Sequence, residues 1–141
     1  MKYARVGQFL ARLGQLRPLQ AFLEAFCADS GLARQECLRL NLVLEELFTN
    51  TVKHGHRGDC DAPVWIGLTR TDDAVQVLYE DKAPPFNPYA YARRPGDSPD
   101  MTLELHKIGG LGVLLTKELA ASRDYAYLFG RNRIRLTLAA G

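Results

Sequence analysis

The sequence predicts a single α+β domain, a two-layer α/β sandwich with helices on one face of a mixed, mostly antiparallel sheet. Three observations predict it. Apolar residues recur at helical spacing over two segments before Gly55, a period of two takes over from Val64 to Glu80, and two more alternating runs close the chain. A proline-rich stretch and a glycine-led helical segment lie between these.

At 141 residues the chain has the length of one domain and can bury a core without staples. Its apolar fraction of 47% and charged fraction of 24% are those of an ordinary globular protein. No apolar run approaches the roughly 20 residues of a membrane span. Eighteen basic and sixteen acidic residues leave +2, too dispersed for a phosphate-backbone footprint, so no direct nucleic-acid contact and no membrane are expected. Gly7, Gln8, Arg12 and Gln15 interrupt the N-terminal segment, which therefore lacks the apolar stretch of a secretory signal; the expected location is cytoplasmic. Cys27, Cys37 and Cys60 are odd in number and show no short paired spacing. Neither a disulfide framework nor a zinc site is signalled, and Cys27 and Cys37 are expected as core residues without chemistry.

Leu16, Leu19, Phe22, Leu23 and Phe26 recur at helical spacing, with Pro18 near the start and Gly31 past the end. The segment ahead of this helix is short. A second helix follows from about Gln35 to His54, carried by Leu40, Val43, Leu44, Leu47 and Phe48, with Gly55 as its stop. Val64, Ile66 and Leu68, then Val75, Val77 and Tyr79, alternate with their neighbours around a turn at Asp72-Asp73, an antiparallel hairpin running straight into Asp81. Five of the seven prolines fall between Pro84 and Pro99 and exclude long regular structure, so residues 83 to about 100 read as a surface loop. A buried helix is expected from Val113 to Ala120, then strands at about Arg123–Phe129 and Arg133–Ala139 around a turn at Gly130-Arg131-Asn132.

At about 100° per residue, Glu46, Asn50 and Lys53 share one border of the apolar stripe of the second helix, where all three can face a common ligand. Glu45 and Thr49 point away. A carboxylate and a carboxamide one turn apart suit phosphoryl transfer, because the amide oxygen is a hard ligand for Mg²⁺ and the carboxylate can take a proton from an incoming hydroxyl. Asp81, at the end of a strand, can accept a hydrogen bond from an exocyclic amine. Gly109, Gly110, Leu111 and Gly112 precede a helix and offer open backbone N–H groups of the kind that hold phosphate, although no G-K-[ST] follows as in a P-loop. His54 falls within the apolar stripe as a core or helix-end histidine, and His56 and His106 have no partner at metal-ligand spacing.

Taken in order and spacing, Glu46…Asn50, Asp81 and Gly109-Gly110-Leu111-Gly112 resemble the N box and glycine boxes of the GHKL superfamily of ATP-binding domains. The resemblance spans nearly the whole chain and is nearest to the anti-sigma-factor serine/threonine kinases. It implies the Bergerat, histidine-kinase-like fold, with ATP or ADP between the helical layer and a lid at about residues 82–108. It further implies that Asn50 ligates Mg²⁺, Glu46 is the catalytic base and Asp81 holds the adenine amine. Lys53 and Ala83 would line the pocket, Gly109, Gly110, Leu111 and Gly112 the phosphates, and Thr137 would assist Asp81. In place of D-x-G-x-G stands Asp81-Lys82-Ala83-Pro84-Pro85, and the edge strand that relatives place ahead of the first helix is expected to be abbreviated or missing here.

The length leaves no room for the phosphoacceptor helix pair of a sensor histidine kinase. The resemblance thus points to a stand-alone anti-sigma regulator, a serine kinase acting on a STAS-type antagonist of anti-sigma factors and in some cases holding a sigma factor or forming a homodimer. The alternative from another class is a non-catalytic module that switches protein interactions with ATP or ADP. A third is an interaction protein that has kept the fold and lost the nucleotide.

Overall fold

The computed structural model describes residues 2–87 and 120–140. Five strands form one open sheet in the order β1-β2-β3-β5-β4: β1 Tyr3–Leu10, β2 Pro63–Arg70, β3 Ala74–Asp81, β4 Ala120–Leu128 and β5 Arg131–Ala139. Every described pairing is antiparallel. Helix α1 (Leu16–Ser30) and helix α2 (Arg34–Asn50) are the described helices of the other layer. The sandwich expected from the sequence is therefore observed.

The two layers meet where the two periodicities meet. Leu19, Leu23 and Phe26 of α1, and Leu40, Val43, Leu44, Leu47 and Phe48 of α2, bury against Val64, Ile66 and Leu68 of β2, Val75, Val77 and Tyr79 of β3, and Ile134, Leu136 and Leu138 of β5. Each such side chain stabilises the fold by about 1.5–3 kcal/mol relative to exposure. Asp81 and Asn132 continue the inward-facing parity of β3 and β5, which carries two polar side chains to the edge of the core.

Five expectations are corrected. An edge strand is present in full: β1 pairs with β2 over eight residues, because Phe9 anchors it to the core while Val6 and Leu10 face outward. Cys27 and Cys37 form a disulfide, with Cα atoms 6.0 Å apart. The tight connection at Gly31, which takes a left-handed conformation, turns the first turn of α2 back onto the last turn of α1, a proximity that sequence spacing does not display. The second helix does not stay α-helical to His54: from Thr51 to Gly55 it becomes a π-helical turn. The wider i→i+5 spacing re-phases the face, so Val52 is buried and His54 is exposed instead of lying beneath Leu47. Finally, the β4–β5 turn is the pair Phe129-Gly130, both at positive φ (55° and 75°), the geometry that two-residue hairpins favour. Arg131 and Asn132 are consequently strand residues, and Ala120 begins β4 instead of ending a helix.

On the face of the sheet away from the helices, Glu80 lies between two arginines, Nη1 of Arg131 and Nε of Arg133 each 3.1 Å from one of its carboxylate oxygens. The Arg131 guanidinium also stacks on Trp65, 3.6 Å from the ring centroid. This cluster holds β2, β3 and β5 in register one residue away from Asp81 and Asn132. No helix among the described residues is long and apolar enough to cross a membrane.

Candidate nucleotide-binding site

Asp81 is the last residue of β3, opposite Asn132 of β5, and is only 7% exposed. Its carboxylate is almost fully engaged. Oδ1 accepts hydrogen bonds from Nδ2 of Asn132 at 2.9 Å and from the main-chain N–H of Ala83 at 3.1 Å. Oδ2 accepts one from the Thr51 hydroxyl at 2.8 Å. A carboxylate has about four acceptor positions, so among the described residues one remains, on Oδ2.

Thr51 opens the π-helical turn and is 5% exposed. Its oxygen is 2.6 Å from the Tyr79 hydroxyl. The Leu47 carbonyl is a further acceptor, 3.0 Å from the Thr51 oxygen and 3.2 Å from the Tyr79 hydroxyl; because Asp81 can only accept, the direction that gives its Oδ2 a donor is Tyr79 to Thr51 to Asp81. Burial first, and the nearby Asp81 charge second, hold the Tyr79 phenol well above the ordinary tyrosine range, so it stays protonated and donates.

This relay brings together the two ends of the motif read from the sequence. Asn50, the expected metal ligand, directly precedes Thr51 in the chain, and Glu46 lies one helical turn earlier; both are half-buried. The end of α2 and the end of β3 thus share one buried polar joint. Lys53 lies two residues beyond Thr51 with its side chain exposed. Ala83 is buried beside Asp81, and its methyl fills the space against Gly55: a Cβ built on Gly55 would lie 2.8 Å from it.

Thr137 is corrected. It pairs with Gln76, five residues along β5 from Asn132, and so stands at the far end of the strand from Asp81. The place beside Asp81 belongs to Asn132, which assignment to a turn had hidden. Gly109, Gly110, Leu111 and Gly112, and all of the expected lid beyond residue 87, lie outside the described residues.

Besides Asn132, three polar residues of this joint were not singled out as functional. Thr51 falls seven residues after Leu44, on the apolar stripe, and Tyr79 shares the buried parity of Val75 and Val77; a polar atom at a buried phase was the available signal. Tyr125 donates its hydroxyl to Oδ1 of Asn132, and burial raises its pKa above the ordinary tyrosine range. Nothing in its local sequence marks it.

The acceptor arrangement fits a purine amine, because one buried, oriented carboxylate lone pair can accept a single N–H. Asn50 fits Mg²⁺ as a lone amide-oxygen ligand, since that ion usually takes one or two side chains and completes its shell with phosphate and water. Comparison with curated proteins gives no match. Residues 9–138 match the histidine kinase-like ATPase domain, an extent that takes in both helices, most of the described sheet and the Asp81 joint. The chain belongs to the histidine kinase-like ATPase domain family and is by that membership an ATP-binding domain.

Proposed function

We propose that this protein is an ATP-dependent serine kinase that phosphorylates a STAS-type antagonist of an anti-sigma factor, and that the same surface allows it to hold a sigma factor. The observation that supports this most directly is the Thr51 bridge, which joins the helix end bearing Glu46 and Asn50 to the carboxylate of Asp81. One pocket then has a base-recognising end and a phosphoryl-transfer end.

In this reading Asp81 accepts the adenine amine through the free position on Oδ2. Glu46 takes the proton of the substrate serine as its oxygen bonds to the γ-phosphorus and the bond to the β-phosphate oxygen breaks, releasing ADP. The amide oxygen of Asn50 would hold Mg²⁺, which would supply charge neutralisation of the phosphates. Glu46 is favoured over Glu45 because it shares the helix border with Asn50.

The test is transfer of labelled phosphate from ATP to a cognate STAS protein, with calorimetric titration of Mg-ATP in parallel. Phosphoserine on the antagonist is expected. Glu46→Gln should bind ATP within a few-fold of wild type and transfer phosphate about a hundredfold or more slowly. An antagonist that stays unlabelled while ATP binds normally would overturn the kinase and leave a nucleotide-dependent interaction switch.

A further inference from the structure

The chain leaving Asp81 reads Lys82-Ala83-Pro84-Pro85-Phe86. Pro84 and Pro85 have no main-chain N–H, so this stretch cannot hold itself in place with backbone hydrogen bonds of its own. The N–H groups of Ala83 and Phe86 go to side chains instead. Ala83 donates to Oδ1 of Asp81, and Phe86 donates to Oδ1 of Asn132 at 3.0 Å and to the Tyr125 hydroxyl at 3.2 Å.

Asn132 completes the pattern. Its Nδ2 group serves the carbonyls of Ala83 and Pro84, at 3.0 and 3.1 Å, as well as Asp81. Its Oδ1 accepts from Phe86 and from Tyr125. Both faces of one carboxamide, 6% exposed, are therefore committed to Asp81 and to the root of the segment that follows it. A carboxamide is the side chain suited to this place, since it offers two donors and two lone pairs in one plane.

We propose that Asn132, backed by Tyr125, is a positioning residue for the nucleotide: a latch that fixes residues 83–86 to β5 and aims the Asp81 carboxylate through the same group. Only the consequence of the latch for ATP rests on the nucleotide reading above. Release of the segment from Asn132 turns the carboxylate, and occupation of Asp81 by a ligand amine steadies the latch. Asn132→Asp has a distinctive signature. It keeps the acceptor for Phe86 but sets a second carboxylate where Asn132 donated, and protonation of that pair restores a donor.

Amide hydrogen exchange and ATP titration on the full chain test this. In Asn132→Ala the Phe86 amide should exchange at least about tenfold faster, and ATP affinity should fall by about tenfold or more. Tyr125→Phe, the milder change, should speed Phe86 exchange by a few-fold with the fold intact. Asn132→Asp should bind ATP weakly at about pH 8 and regain affinity towards about pH 5.5, a recovery that a merely misfolded variant does not show. Unchanged Phe86 exchange in both Asn132→Ala and Tyr125→Phe would overturn the latch. Faster exchange with unaltered ATP affinity in Asn132→Ala would overturn the positioning role. Failure of the wild type to bind ATP would remove the nucleotide reading and the positioning role together, while the exchange result would still decide whether the latch exists.

Discussion

Gly55 and Ala83 occupy one another's space: a Cβ on residue 55 would lie 2.8 Å from the methyl of Ala83. The end of the π-helical turn therefore sits directly on the chain that follows Asp81. Gly55 ends a helix here by allowing close approach, since it does not use the left-handed conformation that glycine usually supplies at a helix end.

Gly55→Ala is expected to destabilise the protein by about 1–3 kcal/mol, the usual cost of overpacking, and to weaken ATP binding because Ala83 donates to Asp81. Ala83→Gly in the same background should recover much of the loss. Denaturant titrations of the two single variants and the double variant measure the coupling. Strictly additive changes would show that the contact is not energetically important.

The Thr51 hydroxyl is expected to matter more than its volume. Thr51→Val keeps the shape but removes the donor to Oδ2 of Asp81 and leaves the Tyr79 hydroxyl only the Leu47 carbonyl, at a cost of about 1–3 kcal/mol in stability. Thr51→Ser should stay near wild type. Asp81→Asn should lower ATP affinity by about tenfold or more, read by calorimetry, because the position meant for the amine loses its charge.

Stability is expected to fall at alkaline pH. The folded-state pKa of Tyr79 is raised above the unfolded value of 10.0, so its contribution is complete below that pH. As pH rises above the unfolded value, the unfolded chain gives up the phenolic proton while the folded state keeps it, and stability declines by about 1.4 kcal/mol per pH unit per such proton until the folded pKa is passed. Tyr79→Phe should lose that part of the slope. Chemical denaturation between about pH 9 and about pH 11 checks this.

The Cys27–Cys37 disulfide closes a loop with a sequence separation of 10. By loop-closure entropy it should stabilise the fold by about 2–3 kcal/mol. Thermal melts with and without reductant, and of a Cys27→Ser/Cys37→Ser variant, should show matching losses. Equal melting temperatures under both conditions would show that the bridge adds nothing to stability.

Much of this architecture was legible because it follows from periodicity. The stripe from Leu40 to Phe48 and the alternation of Val75, Val77 and Tyr79 depend only on which face is apolar, and burial rewards that face wherever the chain goes. Asp81 was legible for a related reason: it is a charge at the end of an apolar alternation. Asn132 was not, because a stretch containing Gly130 and Asn132 looks like a turn, and only strand pairing shows that the turn is Phe129-Gly130. The partner that the resemblance implied for Asp81, Thr137, stands at the opposite end of β5.

The sequence by itself determined the layers, the antiparallel hairpins and the placing of Glu46 and Asn50 on one helix border, since these depend on local spacing and on the sign of burial. Tertiary structure alone decided the rest. The relay from Tyr79 through Thr51 to Asp81 joins residues 28 and 30 positions apart, the Asn132 bond to Asp81 spans 51, and the disulfide depends on how tightly two helices fold back. Such contacts are set by strand register and by the angle at which a helix meets a sheet. No local pattern encodes either quantity, because each is the outcome of packing the whole core at once.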